Sequence, residues 1–324
     1  VDRRGILVRP LQPTPPVSFE NREMADMRTL GFAEAHRRRP ALAVVLGTNE
    51  IASAVAVHLR RAGFGVVLSH DPHPPVLRRA MSFHDALWGD PARVEEYGAI
   101  AIERITEMFP AMFRDDAVIV TRMGLVELLA LGSLDLLIDA RMLKYAEIPD
   151  LRHLAVATIG LGPGFTAGVN CDRAVETRPA RAGLLLTRGS TDAPDGISAP
   201  LGGVGGERFV RAAAPGVWRT ALSIGTRVYR GMTLGHLDRT AVLAPMDGLL
   251  RGSVRDATEV PARVKLIEID PRDRNHVRFT GIDERGRTIA EAAVAAATDL
   301  LADARLAAVG TATLLPTPHR DRSR

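Results

Sequence analysis

The sequence predicts an α/β protein: a mostly parallel sheet covered by helices, then a small all-β module, then a closing helix. Three observations carry this. Residues 41–46 form a continuous apolar run ended by Gly47, followed by apolar positions at helical spacing as far as Gly63 and a second apolar run, Gly65–Ser69. Further short apolar runs follow at 99–102, Ala117–Thr121, Leu134–Asp139 and 154–159, with helical candidates at 105–113 and 125–131. Runs of this kind are typical of strands buried on both faces, as in parallel sheets. Past residue 211 the texture changes to short glycine-rich segments without a helical period, and the sequence repeats itself.

Taken in order, residues 1–40 mix prolines with a polar, helix-compatible stretch at 21–38 and read as an N-terminal arm. Strand, glycine turn, helix and strand within about thirty residues make a βαβ unit with a right-handed crossover. The continuing alternation extends it into a Rossmann-like domain over 41–212. In the repeat, Ala214-Pro215 recurs as Ala244-Pro245, and Gly216-Val217-Trp218 matches Gly248-Leu249-Leu250. Val228 matches Val260, and Leu237-Asp238 matches Ile269-Asp270. Two such copies, neither able to bury its own face, are expected to clasp about a pseudo-twofold axis over 213–272. This segment is similar to the barrel-sandwich modules of biotinyl/lipoyl type, which carry their cofactor on a lysine between the copies. The hairpin here reads His236-Leu237-Asp238-Arg239-Thr240, so neither biotin nor lipoate is expected. Residues 273–324 hold an alanine- and leucine-rich helix at 289–308 and a basic tail.

An apolar fraction of 46% over 324 residues suits a globular protein. No apolar run reaches the roughly 18–20 residues of a membrane helix, so no membrane partner is expected. The 42 basic and 38 acidic residues leave a net charge of +4, aromatics are only 4%, and no reader motif appears, which argues against nucleic acid. A single cysteine and no apolar leader at the start point to the cytoplasm.

Two glycine-rich turns are candidate ligand sites. In Gly47-Thr48-Asn49-Glu50-Ile51-Ala52, the amides of a helix N-terminus favour an anion, with Asp71 positioned to hold ribose hydroxyls; the alternative is a structural strand-to-helix turn. In Gly160-Leu161-Gly162-Pro163-Gly164-Phe165-Thr166, directly after a buried strand, bare amides can form an anion nest; the alternative is a tight boundary loop. Cys171 beyond it is either a soft-metal or sulfur-carrying thiolate, and thus the candidate catalytic group, or a small buried hydrophobe. Arg78 and Arg79 are placed to clamp phosphate or carboxylate, or else lie on a surface helix. His70, His73 and His84 lie among prolines and read as a solvated loop rather than a metal site. No hydrolase elbow, phosphate-binding P-loop or zinc motif occurs, and nothing names a general base, so catalysis is left open.

Several strings resemble one family: residues 47–52, Arg78 to Phe83, Ile138 to Lys144, Ile159 to Gly168, Val175-Glu176-Thr177 and Ile267 to Arg272. They are similar to the accessory proteins of selenium-dependent molybdenum hydroxylase systems, the YqeB family, related to the XdhC/CoxI maturation factors. The resemblance implies a cytoplasmic maturation factor for a xanthine dehydrogenase-like molybdenum hydroxylase. Such a factor binds the molybdenum cofactor (molybdopterin) or a nucleotide, and the apo-hydroxylase. The chain departs from the family pattern at Asn49, where the family has glycine, and at Arg178-Pro179-Ala180, where it has Arg-Gly-His. An NAD(P)-dependent oxidoreductase and a degenerate scaffold without catalysis are the competing expectations.

Overall fold

The computed structural model describes residues 40–313. The expected N-terminal arm, its helix at 21–38 and the basic tail lie outside the described residues. The first strand, β1 (Leu42–Leu46), leads through Gly47 into helix α1 (Glu50–Arg61) and on to β2 (Gly65–Ser69). Asn49 starts the helix: its side-chain oxygen accepts from the amides of Ile51 and Ala52 at 2.9 and 3.0 Å. Gly63, at φ 85°, ends it. Asn49→Ala should therefore lower stability by about 1 kcal/mol, read as a shift of the urea midpoint at unchanged slope.

The chain continues through β3 (Arg93–Val94), β4 (Tyr97–Ala101), α2 (Ile105–Ala111), β5 (Ala117–Thr121), α3 (Leu125–Leu128), β6 (Leu134–Asp139) and β7 (Ala155–Leu161). Strands β8 (Thr166–Ala167), β9 (Arg173–Val175), β10 (Leu185–Leu186) and β11 (Gly189–Ser190) follow. The large sheet has nine strands in the order β10-β9-β7-β6-β1-β2-β5-β4-β3. Pairing is parallel from β9 to β4, and antiparallel at both edges. One face is covered by α1 together with the last helix, α4 (Glu284–Thr313). Ile289, Ala290, Ala293, Ala296 and Ala297 of α4 are buried there; their small side chains let the two helices approach closely. The opposite face is filled by Met108, Met112, Leu128, Leu151 and Phe165 from short helices and loops.

The rest of the chain supplies β12 (Phe209–Arg211), β13 (Gly216–Arg219), β14 (Arg227–Val228), β15 (Thr233–Leu237), β16 (Thr240–Leu243), β17 (Gly248–Ser253), β18 (Thr258–Val260) and β19 (Lys265–Asp270). They form two four-stranded sheets, β12-β19-β17-β14 and β16-β15-β13-β18. Matching the repeat copies pairs β13 with β17, β14 with β18 and β15 with β19, so each sheet takes strands from both copies. Trp218, Leu234, Leu250, Leu266 and Ile269 fill the space they enclose.

These sheets correct the expected architecture of a Rossmann-like domain followed by a biotinyl/lipoyl-like barrel-sandwich module and a C-terminal helix. The large sheet is mixed, and the connection from β6 to β7 carries no helix, whereas a doubly wound fold needs a helix at each crossover. The small sheets are not a separate body. The amide of Ser253 donates to the carbonyl of Leu77 at 2.8 Å, Arg79 Nε donates to the Ser253 carbonyl at 2.8 Å, and α4 returns to cover the first sheet. No helix among the described residues is long and apolar enough to cross a membrane.

Candidate functional site

A cleft of about 1000 Å³ opens between the β1–α1 turn, the loops after β2 and β6, the 192–201 loop, β12 with β19, and the start of α4. Of the residues singled out in the sequence, Gly47, Thr48, Asn49, Asp71 and Arg78 line it. Arg79, Gly160, Gly162, Gly164, Phe165, Thr166 and Cys171 do not.

At the β1–α1 turn, Gly47 has φ 107°, and a Cβ there would sit 3.1 Å from the Ala140 carbonyl oxygen. Glycine serves the turn itself. The first-turn amides of Ile51 and Ala52 are taken by Asn49, whose Nδ2 also donates to the Ala140 carbonyl at 2.7 Å. Glu50 adds a carboxylate at the same end. The expected phosphate site on the first turn is corrected accordingly: the helix is capped from within. Thr48 is buried, its hydroxyl 2.9 Å from His84 Nδ1 and 3.2 Å from His70 Nδ1. Burial, followed by the charges nearby, pushes His84 down to about 2 and lowers His70 as well. These two rings are therefore packed and neutral rather than solvated, with Trp88 against both; His73 alone is exposed. Among the described residues no three His, Cys, Asp or Glu side chains gather as a metal site. Asp71 accepts from the His73 amide and faces Arg141 at 3.6 Å.

Deeper in, one carboxylate faces three guanidinium groups. Glu268 on β19 is fully buried and meets Arg78 Nε at 2.8 Å, Arg251 Nη1 at 3.0 Å and Arg208 Nε at 3.4 Å. Burial alone would raise its pKa; the field of Arg78, Arg251 and Arg208 outweighs it and holds the carboxyl at about 2. Arg78 also reaches Glu50 at 3.2 Å, and Arg251 reaches Asp283 at 3.0 Å. Arg79 is spent on Ser253 and on Asp85 at 2.5 Å. The expected arginine clamp is thus an internal ion cluster joining the loop after β2 to β17, β19 and Asp283, the residue before α4.

The 160–168 loop is also built for packing. A Cβ on Gly160 would lie 2.0 Å from the ring of Phe165, which is 2% exposed. Gly162 and Gly164 have φ of 89° and 91°. The Gly162 amide donates to the Val175 carbonyl, the Thr166 amide to Asn170 Oδ1, and the Gly168 amide to the Cys171 carbonyl. The amides of Gly162, Thr166 and Gly168 are thus used within the loop, and Gly160, Gly162 and Gly164 do not line the cleft. Cys171 is 0% exposed, and burial pushes its thiol up to about 12. This corrects its candidacy as a thiolate. Iodoacetamide at neutral pH should leave Cys171 unmodified until the protein is unfolded, as peptide mapping will read.

What faces the cleft with charge to spare lay elsewhere. Arg285, in the first turn of α4, donates Nε to the Thr177 carbonyl at 2.9 Å and makes no ion pair among the described residues. Burial lowers its pKa. Lys265 on β19 donates to Ser198 Oγ at 3.3 Å and lies 3.5 Å from the centre of the Phe209 ring, again without a carboxylate within ion-pair distance. Lys144 and Arg211 line the same wall. Glu176 braces the floor, accepting from the amides of Thr177, Arg178 and Asp192.

No protein-family model matches the chain. A curated relative, the uncharacterized protein YqeB of Escherichia coli K12, is 28% identical over 264 residues, 79% of this chain and 47% of that one. The chain spans about half the length of this relative. Among solved structures, an aspartoacylase family protein from Mesorhizobium loti is 10% identical, covering 73% of this chain and 86% of that one at a TM-score of 0.24. A succinylglutamate desuccinylase/aspartoacylase from Rhodobacter sphaeroides is 14% identical, covering 71% and 86% at 0.21.

Proposed function

We propose that the protein is an accessory factor of molybdenum hydroxylase maturation, which holds the phosphate-bearing pterin of the molybdenum cofactor in the cleft and presents it to the apo-hydroxylase. The observation that supports this most is Arg285: a half-buried guanidinium lining the cleft that forms no ion pair among the described residues, with Glu50 and Asp283 acting on it only from beyond ion-pair distance. A desolvated cation of this kind is costly to keep unless an anion completes it. Lys265, Lys144 and Arg211 add positive charge along the same cleft. The residues fit the phosphate end of such a ligand. They offer no thiolate to its metal, since Cys171 is buried elsewhere, so the metal would keep the sulfur donors of the ligand itself. The resemblance of the quoted strings to the molybdenum hydroxylase accessory family supplies the choice of ligand.

The test is a binding titration with molybdopterin, with ATP and NADP as competing phosphate ligands, on the wild type and on Arg285→Ala. The variant should bind about 10-fold or more weakly, the scale of one charge-assisted hydrogen bond, while its melting temperature holds or rises. Equal affinity in both proteins would remove the cleft from the reading. Preference for NADP over molybdopterin would return it to the oxidoreductase alternative.

A further inference from the structure

The chain contains two lysines, Lys144 and Lys265, within 42 Lys and Arg residues. Both line the cleft, from the loop after β6 and from β19, and Lys265 lies within the field of Lys144. A protein that otherwise uses arginine for positive charge has placed its amines together where a ligand is expected. Arginine serves as well or better for binding anions; what it cannot do is lose its proton and attack as a nucleophile.

We propose that Lys265 is a nucleophilic amine that captures the carbonyl group of an anionic ligand as a Schiff base. It uses the cleft of the proposed function but does not depend on the ligand being molybdopterin. Two features of its surroundings favour the neutral amine: it makes no ion pair among the described residues, and Lys144, Arg211 and Arg78 oppose its charge from three other segments. Pulling the other way are Glu268 on the same strand, itself engaged by three arginines, and the face of the Phe209 ring, 3.5 Å from the Lys265 Nζ. Burial first, then Lys144 and Arg211, brings Lys265 down to about 8, so a substantial share is unprotonated at mildly alkaline pH. In the step, the amine lone pair attacks the carbonyl carbon and the C=O π pair moves to oxygen. The carbinolamine then loses water, which carries away the oxygen and both amine protons, leaving C=N. No oxidant or reductant is needed.

The probes are pyridoxal 5′-phosphate, a phosphorylated aldehyde, and butyraldehyde, which is uncharged. Each is trapped with borohydride and located by peptide mapping, a simple task with two lysines and one amino terminus. Lys265 should label faster than Lys144 and the amino terminus, with a rate midpoint near pH 8. Lys144→Met should slow Lys265 labelling at neutral pH by up to about 10-fold, since one pKa unit is a factor of ten in neutral amine. Lys265→Arg should remove the fast label while the circular dichroism spectrum is retained. Labelling of Lys265 no faster than Lys144, or only after denaturation, overturns the proposal. Inorganic phosphate separates the two readings. If phosphate fails to protect Lys265 from pyridoxal 5′-phosphate, the anion reading fails and the amine stands. If phosphate binds but neither aldehyde labels Lys265, the amine reading fails and the anion site stands.

Discussion

Glu268→Gln should destabilise the protein by about 3–5 kcal/mol, because it leaves three buried or half-buried guanidinium groups facing each other without their common counter-charge. The carboxyl meets Arg78, Arg251 and Arg208 within 3.4 Å, and no other carboxylate is within ion-pair distance of Arg208 among the described residues. Loss should appear as a lower urea midpoint with little change in slope. The same cluster sets an acid limit. The folded pKa lies at about 2, below the ordinary 4.5, so Glu268 contributes its stability in full above pH 4.5 and loses it as pH falls through 2. The wild type should thus weaken across that window, and the Gln variant should show a shallower slope there. A loss under about 1 kcal/mol would mean that the arginines find other anions, the cleft ligand included.

The second large effect is expected at Gly160→Val. Its Cβ would overlap the Phe165 ring at its Cδ1 and Cγ atoms, the base of the side chain rather than its tip. Phe165 is itself held in the core with Leu151 and Cys171. The cost should be about 3 kcal/mol or more, possessing the sign and scale of overpacking. The Gly160→Ala and Phe165→Ala pair provides the control: the double variant should be less destabilised than the two single variants summed, since removing the ring removes the overlap. Additive losses would show that Gly160 is required for its backbone alone.

The central strands and α1 were legible in the sequence because each is an uninterrupted apolar run or a helical stripe bounded by Gly47, Gly63 or a polar turn. The edge strands β3 and β10 were not, since two-residue, partly exposed pairings have no periodicity to read. Matching Trp218 with Leu250 and Val228 with Val260 revealed the repeat. That match states that there are two copies, not which strands of each will pair, and strand exchange between them followed only from the structure. The glycines of the 160–168 loop misled for a physical reason: a glycine that makes room for Phe165 looks the same in sequence as one that makes room for a phosphate. Asn49 gave the opposite lesson, for a departure from the glycine pattern proved to be a cap. Arg285 and Lys265 carried no local pattern, being brought to one wall by α4 and β19 from distant parts of the chain. The scarcity of lysine was the signal that could have found the second of them.

The placement of α4 has a consequence for how the protein is made. The helix that seals one face of the large sheet is synthesised after all the strands of the described residues. Until it emerges from the ribosome, α1 lacks the helix that packs beside it, where Gly286 meets Ala54. Contacts between α1 and α4 join segments more than about 200 residues apart, and such long-range contacts slow folding. The nascent protein therefore passes through a long interval with an open apolar face, and holding chaperones should associate with chains truncated before residue 289 far more than with the full chain.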